Sequence, residues 1–157
     1  DIVEKILNEE ISAELGGTNI KATILFLDIR NSTGIAEKMD PKKFSEFISL
    51  LFSKFMEIVF EHKGSVNKLL GDGILATFGT LETLPDDSAR ATKTALEMRQ
   101  ALKDLNIERR NKGQIELSQG IGVHFGPAIV GNIGTENRLE YTVIGDTVNL
   151  ASRIESA

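Results

Sequence analysis

The chain has 157 residues, enough for one domain with a buried core and too few for two domains of ordinary size. Its 41% hydrophobic and 26% charged residues are typical of a soluble globular protein, and the absence of cysteine excludes disulfides and thiolate metal sites. The net charge of −5 argues against nucleic-acid binding, which normally needs a clustered basic surface. A single nucleotide remains a possible ligand, provided that a metal ion supplies positive charge.

The ends of the chain suggest a piece of a longer protein. It begins without an initiator methionine and stops within a helical pattern. No apolar run approaches the roughly 20 residues that cross a bilayer, and no signal-peptide pattern occurs in these residues. We therefore expect a cytoplasmic domain, with room for a sensor or membrane region upstream. Residues 1–20 are predicted to form a lead-in helix and linker, and residues 21–157 the main domain.

The first 64 residues predict a lead-in helix, a buried strand and a long helix. Residues 1–15 have a loosely helical apolar spacing, which predicts the lead-in helix. Residues 22–27 are apolar and rich in strand formers, which predicts a buried strand with Asp28 at its carboxyl end. Asp40 offers an N-cap, Pro41 follows at the first helical position, and apolar residues at helical spacing continue toward Gly64.

A hairpin and a second helix follow. Residues 65–70 and 74–78 predict two short strands around Asp72, which is flanked by glycines that tolerate the positive φ of a tight turn. Residues 86–88 can cap a second amphipathic helix, which is predicted to end near residues 111–113.

The last part of the chain predicts three strands and a helix. Residues 115–125 and 128–133 read as strands joined by a turn at Gly126-Pro127. Residues 139–144 predict a further strand, and Gly145-Asp146 begins the final helix. The order of elements favours an α+β fold with a ferredoxin-like βαββαβ core, in which helices cover one face of a mainly antiparallel sheet.

Two aspartates are candidates for a metal site. Asp28 lies where a buried strand meets a polar loop, although by itself it is explained equally well as a turn cap. Asp72 by itself is better explained as a turn residue, because Asp-Gly is common in hairpins. If the hairpin pairs beside the first strand, the two carboxylates face each other and form an oxygen-rich site for Mg²⁺. Two such ions about 4 Å apart can activate an attacking oxygen and stabilise a leaving one.

Three further residues have weaker signals. Asn149 and Arg153 are four residues apart on the final predicted helix and so share one face, but without other information a solvated helix face explains them better. Lys68 lies on the strand before the Asp72 turn, where an exposed edge lysine needs no special explanation.

Four stretches of the sequence resemble the class III adenylyl cyclase catalytic domain, in the order and spacing of that family. They read LFLDIRNST at 25–33, GSVNKLLGDG at 64–73, GIGVHFGPAIVG at 120–131 and YTVIGDTVNLASR at 141–153. The resemblance covers residues 23–155 and implies that residues 21–157 convert ATP to cyclic AMP and pyrophosphate. Thr142, where other members have aspartate, resembles the bacterial subgroup that includes bicarbonate-responsive members.

The resemblance also implies the metal and phosphate ligands. Asp28 and Asp72 would hold two Mg²⁺ ions, for which Mn²⁺ could substitute, and the backbone carbonyl of Ile29 would be a further ligand. Backbone amides of the loop after Asp28 would bind the β- and γ-phosphates, as amides at helix entries do elsewhere. The loop residues concerned are Arg30, Asn31, Ser32 and Thr33.

The resemblance further implies that Lys68 and Thr142 read the base, that Asn149 orients the ribose and that Arg153 stabilises the transition state at the α-phosphate. Lys68 would donate to adenine N1, and the Thr142 oxygen would accept from N6. Guanine presents a donor at N1, and facing it with an ammonium group costs about 1 to 3 kcal/mol. We therefore expect ATP to be preferred over GTP, with moderate selectivity because threonine can both donate and accept.

In this family the ATP site forms between two domains, of which one supplies the metal aspartates and the other supplies the residues that bind the base, the ribose and the α-phosphate. This chain carries both sets of residues. The resemblance therefore implies a homodimer with two equivalent sites. The alternative is a degenerate cyclase domain that binds nucleotide or dimerises to regulate a partner, although its usual mark, loss of a metal aspartate, is absent. A diguanylate cyclase is disfavoured because its Gly-Gly-Asp-Glu-Phe signature is missing.

Two departures from the family pattern stand out. Ser32 occupies a position where many relatives have phenylalanine, which leaves the packing of its loop open. The chain also ends soon after Arg153, whereas the family continues through further strands and a lysine that contacts the terminal phosphates. We therefore expect the catalytic domain to be C-terminally incomplete in this chain.

Overall fold

The computed structural model describes residues 16–135 and 138–157. The lead-in helix predicted for residues 1–15 lies outside this part of the chain. The strands are β1 (Gly16–Arg30), β2 (Ser65–Leu70), β3 (Gly73–Phe78), β4 (Ser118–Thr135) and β5 (Arg138–Ile144). The helices are α1 (Ser32–Ala36), α2 (Pro41–Glu61), α3 (Asp87–Asn111) and α4 (Asp146–Ser156).

The five strands form one antiparallel sheet in the order β2-β3-β1-β4-β5. The first four strands in this order, together with α2 and α3, reproduce the predicted ferredoxin-like core, and β5 extends it at the β4 edge. The α+β class is therefore confirmed. The central strand β1 is longer than predicted and includes residues 16–20, which are mostly exposed and carry no apolar pattern. Pairing with β4, from Gly16 opposite Asn132 to Arg30 opposite Ser118, holds this extension.

Helices cover both faces of the sheet rather than one. On the first face, α2 and α3 bury a large core against β1 and β3, with Leu25 and Leu27 at its centre. On the other face, Ala151 of α4 packs with Ala22 and Ile24 of β1. Because β1 is buried on both sides, its apolar residues are continuous rather than alternating. No helix in the described part of the chain has the length and apolarity needed to cross a bilayer.

The turn predicted at Gly126-Pro127 is wrong, because β4 runs without a break from Ser118 to Thr135. Gly126 and Pro127 lie opposite Ala22 and Lys21 of β1. Pairing between β4 and β5 begins only at Ile129, so β4 is an edge strand on that side at Pro127, where a missing N–H is tolerated. The polar loop predicted after Asp28 also differs, because β1 continues to Arg30 and Ser32–Ala36 forms a short helix.

The bounds of the two long helices agree with their sequence signals, although the Asp86 side chain makes no capping hydrogen bond at the start of α3. α2 begins at Pro41, and the Asp40 side chain accepts hydrogen bonds from the backbone N–H groups of Lys42 and Lys43, each at 3.1 Å. The cap satisfies two amides that have no partner within the helix. α2 buries Phe52 and Phe55, so its position decides much of the core.

Removal of this cap should weaken the fold measurably. We expect Asp40→Ala to lower the free energy of unfolding by about 1 kcal/mol in urea titrations followed by circular dichroism, because two helix amides lose their acceptor. Asp40→Asn is the matched control and should stay close to the wild type, since asparagine caps equally well. Equal stability of the alanine and asparagine variants would contradict the role of the cap.

Candidate active site

The carboxylates of Asp28 and Asp72 meet at one end of the sheet. Asp28 pairs with Gly73 across β1 and β3, and the Ile29 N–H donates to the Asp72 carbonyl oxygen at 3.0 Å. Burial, repulsion from Asp72 and a hydrogen bond with it raise the pKa of Asp28 to about 6, and Glu155 adds to the rise while Arg30 opposes it. The two aspartates that the sequence predicted as a pair are thus brought together.

Gly73 makes this close approach possible. A Cβ at this position would lie 2.7 Å from the Leu27 carbonyl oxygen and 3.3 Å from Oδ1 of Asp28. Any side chain here would therefore push the hairpin away from β1. The glycine after Asp72 thus serves the close approach of the strands, whereas Gly71, with φ 64°, takes the left-handed position in the turn.

Ser32 fixes the orientation of Asp72. It is buried at the start of α1, and its hydroxyl donates a hydrogen bond to Oδ2 of Asp72. The packing that the sequence left open at this position is therefore polar, and a phenylalanine could not make this bond. Sequence reasoning placed Ser32 in the phosphate loop and gave no indication of its contact with Asp72.

The other residues of the predicted phosphate loop have different surroundings. The Ile29 side chain is buried in the core, and Asn31 adopts the left-handed conformation with φ 54° at the N-cap of α1. Asn31 and Thr33 are exposed, and their carbonyl oxygens accept hydrogen bonds from the N–H groups of Ile35 and Glu37. Arg30 instead turns toward the last helix, where Nη1 lies 3.1 Å from Oε1 of Glu155.

Glu155 is a residue that sequence reasoning missed. It is only 6% exposed, and its charge acts on Asp28. One signal was available: Glu155 follows Thr147 and Ala151 at intervals of four residues, so an acidic side chain lies in the buried stripe of a helix. A buried carboxylate normally has a specific charged partner, which here is Arg30.

Lys68 and Thr142 are also brought into one region. The Lys68 Nζ lies 3.1 Å from Oε1 of Glu140 on β5, and the buried Thr142 hydroxyl donates to Oδ1 of Asn67 on β2 at 3.3 Å. β2 and β5 are the opposite edges of the sheet, so the sheet is curved enough for its edges to meet. No pattern in the sequence indicated the contacts of Glu140 and Asn67.

Asn149 and Arg153 lie on the exposed side of α4. Thr147, Ala151 and Glu155 form its buried side. Two residues correspond to about 200° around a helix, so Asn149 and Arg153 point away from the sheet that α4 covers. Within residues 16–135 and 138–157, no hydrogen bond or ion pair involves either side chain. Arg153 therefore points away from Asp28 and Asp72 of its own chain.

The carboxylates of Asp28 and Asp72 suit a cation that takes its other ligands from a substrate and water. Among the residues that the structure describes, no three histidine, aspartate or glutamate side chains form a ready-made metal cage. Magnesium is commonly held by one or two carboxylates together with substrate phosphates and water, and two converging aspartates fit that pattern. Burial first and the neighbouring charge of Asp72 second raise the pKa of Asp28, and a divalent cation bound there would favour its charged form.

Comparisons with known proteins agree with this fold. The chain is 34% identical over 135 residues to adenylate cyclase 1 of Rhizobium meliloti, and the match covers 86% of this chain and 20% of that protein. The chain thus spans about a fifth of the length of this curated relative.

Solved structures of cyclases resemble the chain as a whole. The adenylyl cyclase CyaB from P. aeruginosa aligns with a TM-score of 0.85 and 31% identity, over 90% of this chain and 74% of that one. The guanylyl cyclase Cya2 aligns with a TM-score of 0.83 and 37% identity, over 90% of this chain and 72% of that one. The sequence profile of the adenylate and guanylate cyclase catalytic domain matches residues 18–157. This chain therefore belongs to the family of adenylate and guanylate cyclase catalytic domains.

Proposed function

We propose that the chain is the catalytic domain of an adenylyl cyclase, which converts ATP to 3′,5′-cyclic AMP and pyrophosphate at a homodimer interface. The observation that carries this proposal is the meeting of the Asp28 and Asp72 carboxylates at one end of the sheet. The adenylate cyclases among its relatives support the same activity. Because the family includes both cyclases, the choice of ATP rests on the residues near the base.

The metal site would be formed by Asp28 and Asp72. Two Mg²⁺ or Mn²⁺ ions, when bound there, would lower the pKa of the ribose 3′-hydroxyl and neutralise the departing pyrophosphate. Asp28 and Asp72 would hold these ions against the triphosphate, with the Ile29 carbonyl as a further ligand. The hydroxyl of Ser32 would keep Asp72 in one orientation. Amides of the loop from Arg30 to Thr33 would bind the β- and γ-phosphates.

Arg153 and Asn149 would act on the reacting end of ATP. The Arg153 guanidinium can donate charge-assisted hydrogen bonds to the α-phosphate as negative charge moves, a geometry that lysine does not reproduce. Asn149 would orient the ribose so that its 3′-oxygen lies in line with the α-phosphorus. Positioning and charge stabilisation account for most of the catalysis of phosphoryl transfer.

The base would bind where Lys68 and Thr142 meet. Lys68 would exchange Glu140 for adenine N1, and the Thr142 hydroxyl, which now donates to Asn67, would accept from N6. Both groups have protein partners in the free chain, so the base replaces existing interactions. Glu140 supplies an acceptor beside Lys68 that would suit the N1–H of guanine, which makes GTP the competing substrate.

A second copy of the chain would complete the site. Asn149 and Arg153 project from α4 on the side away from Asp28, and both are exposed. A two-fold dimer places each α4 against the carboxylate pair of the other chain and thereby makes two equivalent composite sites. This geometry favours the homodimer over a monomeric enzyme.

Product identification tests the proposed activity. We expect the full-length protein with Mg²⁺ or Mn²⁺ to form cyclic AMP from ATP about 5- to 150-fold more efficiently than cyclic GMP from GTP, which corresponds to about 1 to 3 kcal/mol. Chromatography with mass spectrometry distinguishes the products, and Asp72→Ala is the inactive control. Absence of any cyclic product with either metal would exclude the enzyme, and a preference for GTP would reverse the assignment of the base.

Mixing two inactive variants tests the shared site. Asp72→Ala and Arg153→Ala should each be inactive, whereas their mixture should recover about a quarter of wild-type activity, because half of the dimers are mixed and each has one intact site. A mixture of Asp28→Ala with Asp72→Ala is the matched control and should stay inactive, since both changes remove the same half. Equal behaviour of the two mixtures, with dimers confirmed by light scattering, would rule out the composite site.

The raised pKa of Asp28 predicts an unusual effect on stability. Its folded pKa of about 6 exceeds the unfolded value near 3.9, so its charged form destabilises the fold, fully above pH 6 and not at all well below pH 4. We expect Asp28→Asn to raise the Tm at pH 7.5 in EDTA, with the gain disappearing as the pH falls from about 6 to about 4.

The control for this experiment is Asp104→Asn, which changes an exposed carboxylate on α3 and should leave the Tm nearly unchanged across the same range. Addition of Mn²⁺ with a non-hydrolysable ATP analogue should raise the Tm of the wild type more than that of Asp28→Asn. If the wild type is at least as stable as Asp28→Asn at pH 7.5 without metal, the charge of Asp28 does not destabilise the fold and the prediction is wrong.

A further inference from the structure

We propose that Glu155 is a positioning residue: its ion pair with Arg30 fixes the end of α4 so that Arg153 is held in the orientation that the reaction needs. This inference rests on the proposed function, because Arg153 acts on ATP only there. Glu155 itself would touch neither substrate nor metal. Its effect would pass through the helix that carries Arg153.

The contacts of Glu155 tie the last turn of α4 to the end of β1. The carboxylate is 6% exposed, and its Oε1 lies 3.1 Å from Nη1 of Arg30. Nη2 of Arg30 also donates a hydrogen bond to the Glu155 backbone carbonyl oxygen. Oε1 has no hydrogen-bond partner with good geometry, so the ion pair is what compensates its buried charge.

β4 is shaped to admit this pair. A Cβ at Gly120 would collide with both Oε1 of Glu155 and Nη2 of Arg30. A Cβ at Gly122 would collide with the Ala151 carbonyl oxygen and the Glu155 nitrogen. The two glycines therefore let α4 lie directly on the strand with the ion pair between them, and no other residue type would leave that space.

Arg153 depends on this anchor because of its place in the helix. It lies two residues before Glu155, on the opposite, exposed side of the last turn. The end of a helix lacks part of its internal hydrogen bonding and frays unless it is held by other contacts. The described ion pair and hydrogen bond that tie this turn to β1 are those between Glu155 and Arg30, so releasing them should let Arg153 move.

The anchor also joins the two sites of the proposed dimer. Arg30 follows Asp28 by two residues, on the strand end that serves one site. Arg153, on the helix that Arg30 holds, serves the other site. Loss of the ion pair could therefore act through Arg153 or through Asp28, and a general loss of stability would act on both. The proposal commits to Arg153.

The variant mixture separates these routes. In the mixed dimer, the first chain carries Asp72→Ala and the second chain carries Arg153→Ala. The working site therefore takes Arg153 from the first chain and both aspartates from the second chain. Glu155→Gln placed in the first chain should lower kcat by about ten- to a hundredfold, with the KM for ATP changed less than about twofold, because Arg153 acts mainly in the transition state. The same change in the second chain should have little effect.

Three results of this experiment bear on the proposal. A loss confined to the first chain, partly recovered by Glu155→Asp, would support it. Equal losses from either chain would show a merely structural role, and a loss confined to the second chain would show an effect through Asp28; both would overturn it. An inactive parent mixture would instead overturn the proposed composite site, before Glu155 is changed.

A measurement without catalysis tests the anchor directly. Amide hydrogen exchange of the full-length protein should be about tenfold faster or more in residues 152–156 of Glu155→Gln, and unchanged in α3. Glu108→Gln, on the exposed surface of α3, is the control and should leave residues 152–156 unaffected. Unchanged exchange in the Glu155 variant would overturn the anchor, whatever the activity of the mixtures.

Discussion

The repulsion between the carboxylates of Asp28 and Asp72 is the interaction on which the site depends. The two residues are 44 positions apart in the sequence, and they meet because β3 pairs antiparallel with β1 so that Gly73 lies opposite Asp28. The fold partly buries Asp28 and places Asp72 beside it, and this burial together with the neighbouring charge raises the pKa of Asp28 to about 6. Under the proposed function, this pair would bind divalent cations, and a triphosphate would supply the remaining oxygen ligands.

The same sheet explains why the proposed site needs a second chain. α4 must bury Ala151 and Glu155 on the face of β1 opposite to the main core, so its other side, with Asn149 and Arg153, is turned outward. The curvature of the sheet meanwhile brings Lys68 and Thr142 together from its two edges. Each chain thus presents a carboxylate pair in one region and the groups proposed to bind the nucleotide in others, and two-fold symmetry is the simplest way to unite them.

Local signals predicted much of the fold. The periodicity of α2 and α3, the cap at Asp40 and the glycines around Asp72 were sufficient, because each acts within a few residues of its own position. The turn predicted at Gly126-Pro127 was wrong for the opposite reason. Proline is a local turn signal, but pairing with β1 over fifteen residues, together with the late start of β5, kept β4 continuous. The motifs named Asp28, Asp72, Lys68 and Arg153 as candidates, since residue type and spacing are properties of the sequence.

The sequence by itself determined the chemistry that was available: two aspartates after a strand and in a turn, and an arginine and an asparagine on one helical face. Only the tertiary structure decided which groups meet. It placed Ser32 against Asp72, Glu140 against Lys68 and Glu155 against Arg30, pairs between 40 and 125 residues apart. No periodicity carries that information, because such contacts depend on strand register, sheet curvature and the side of α4 that becomes buried.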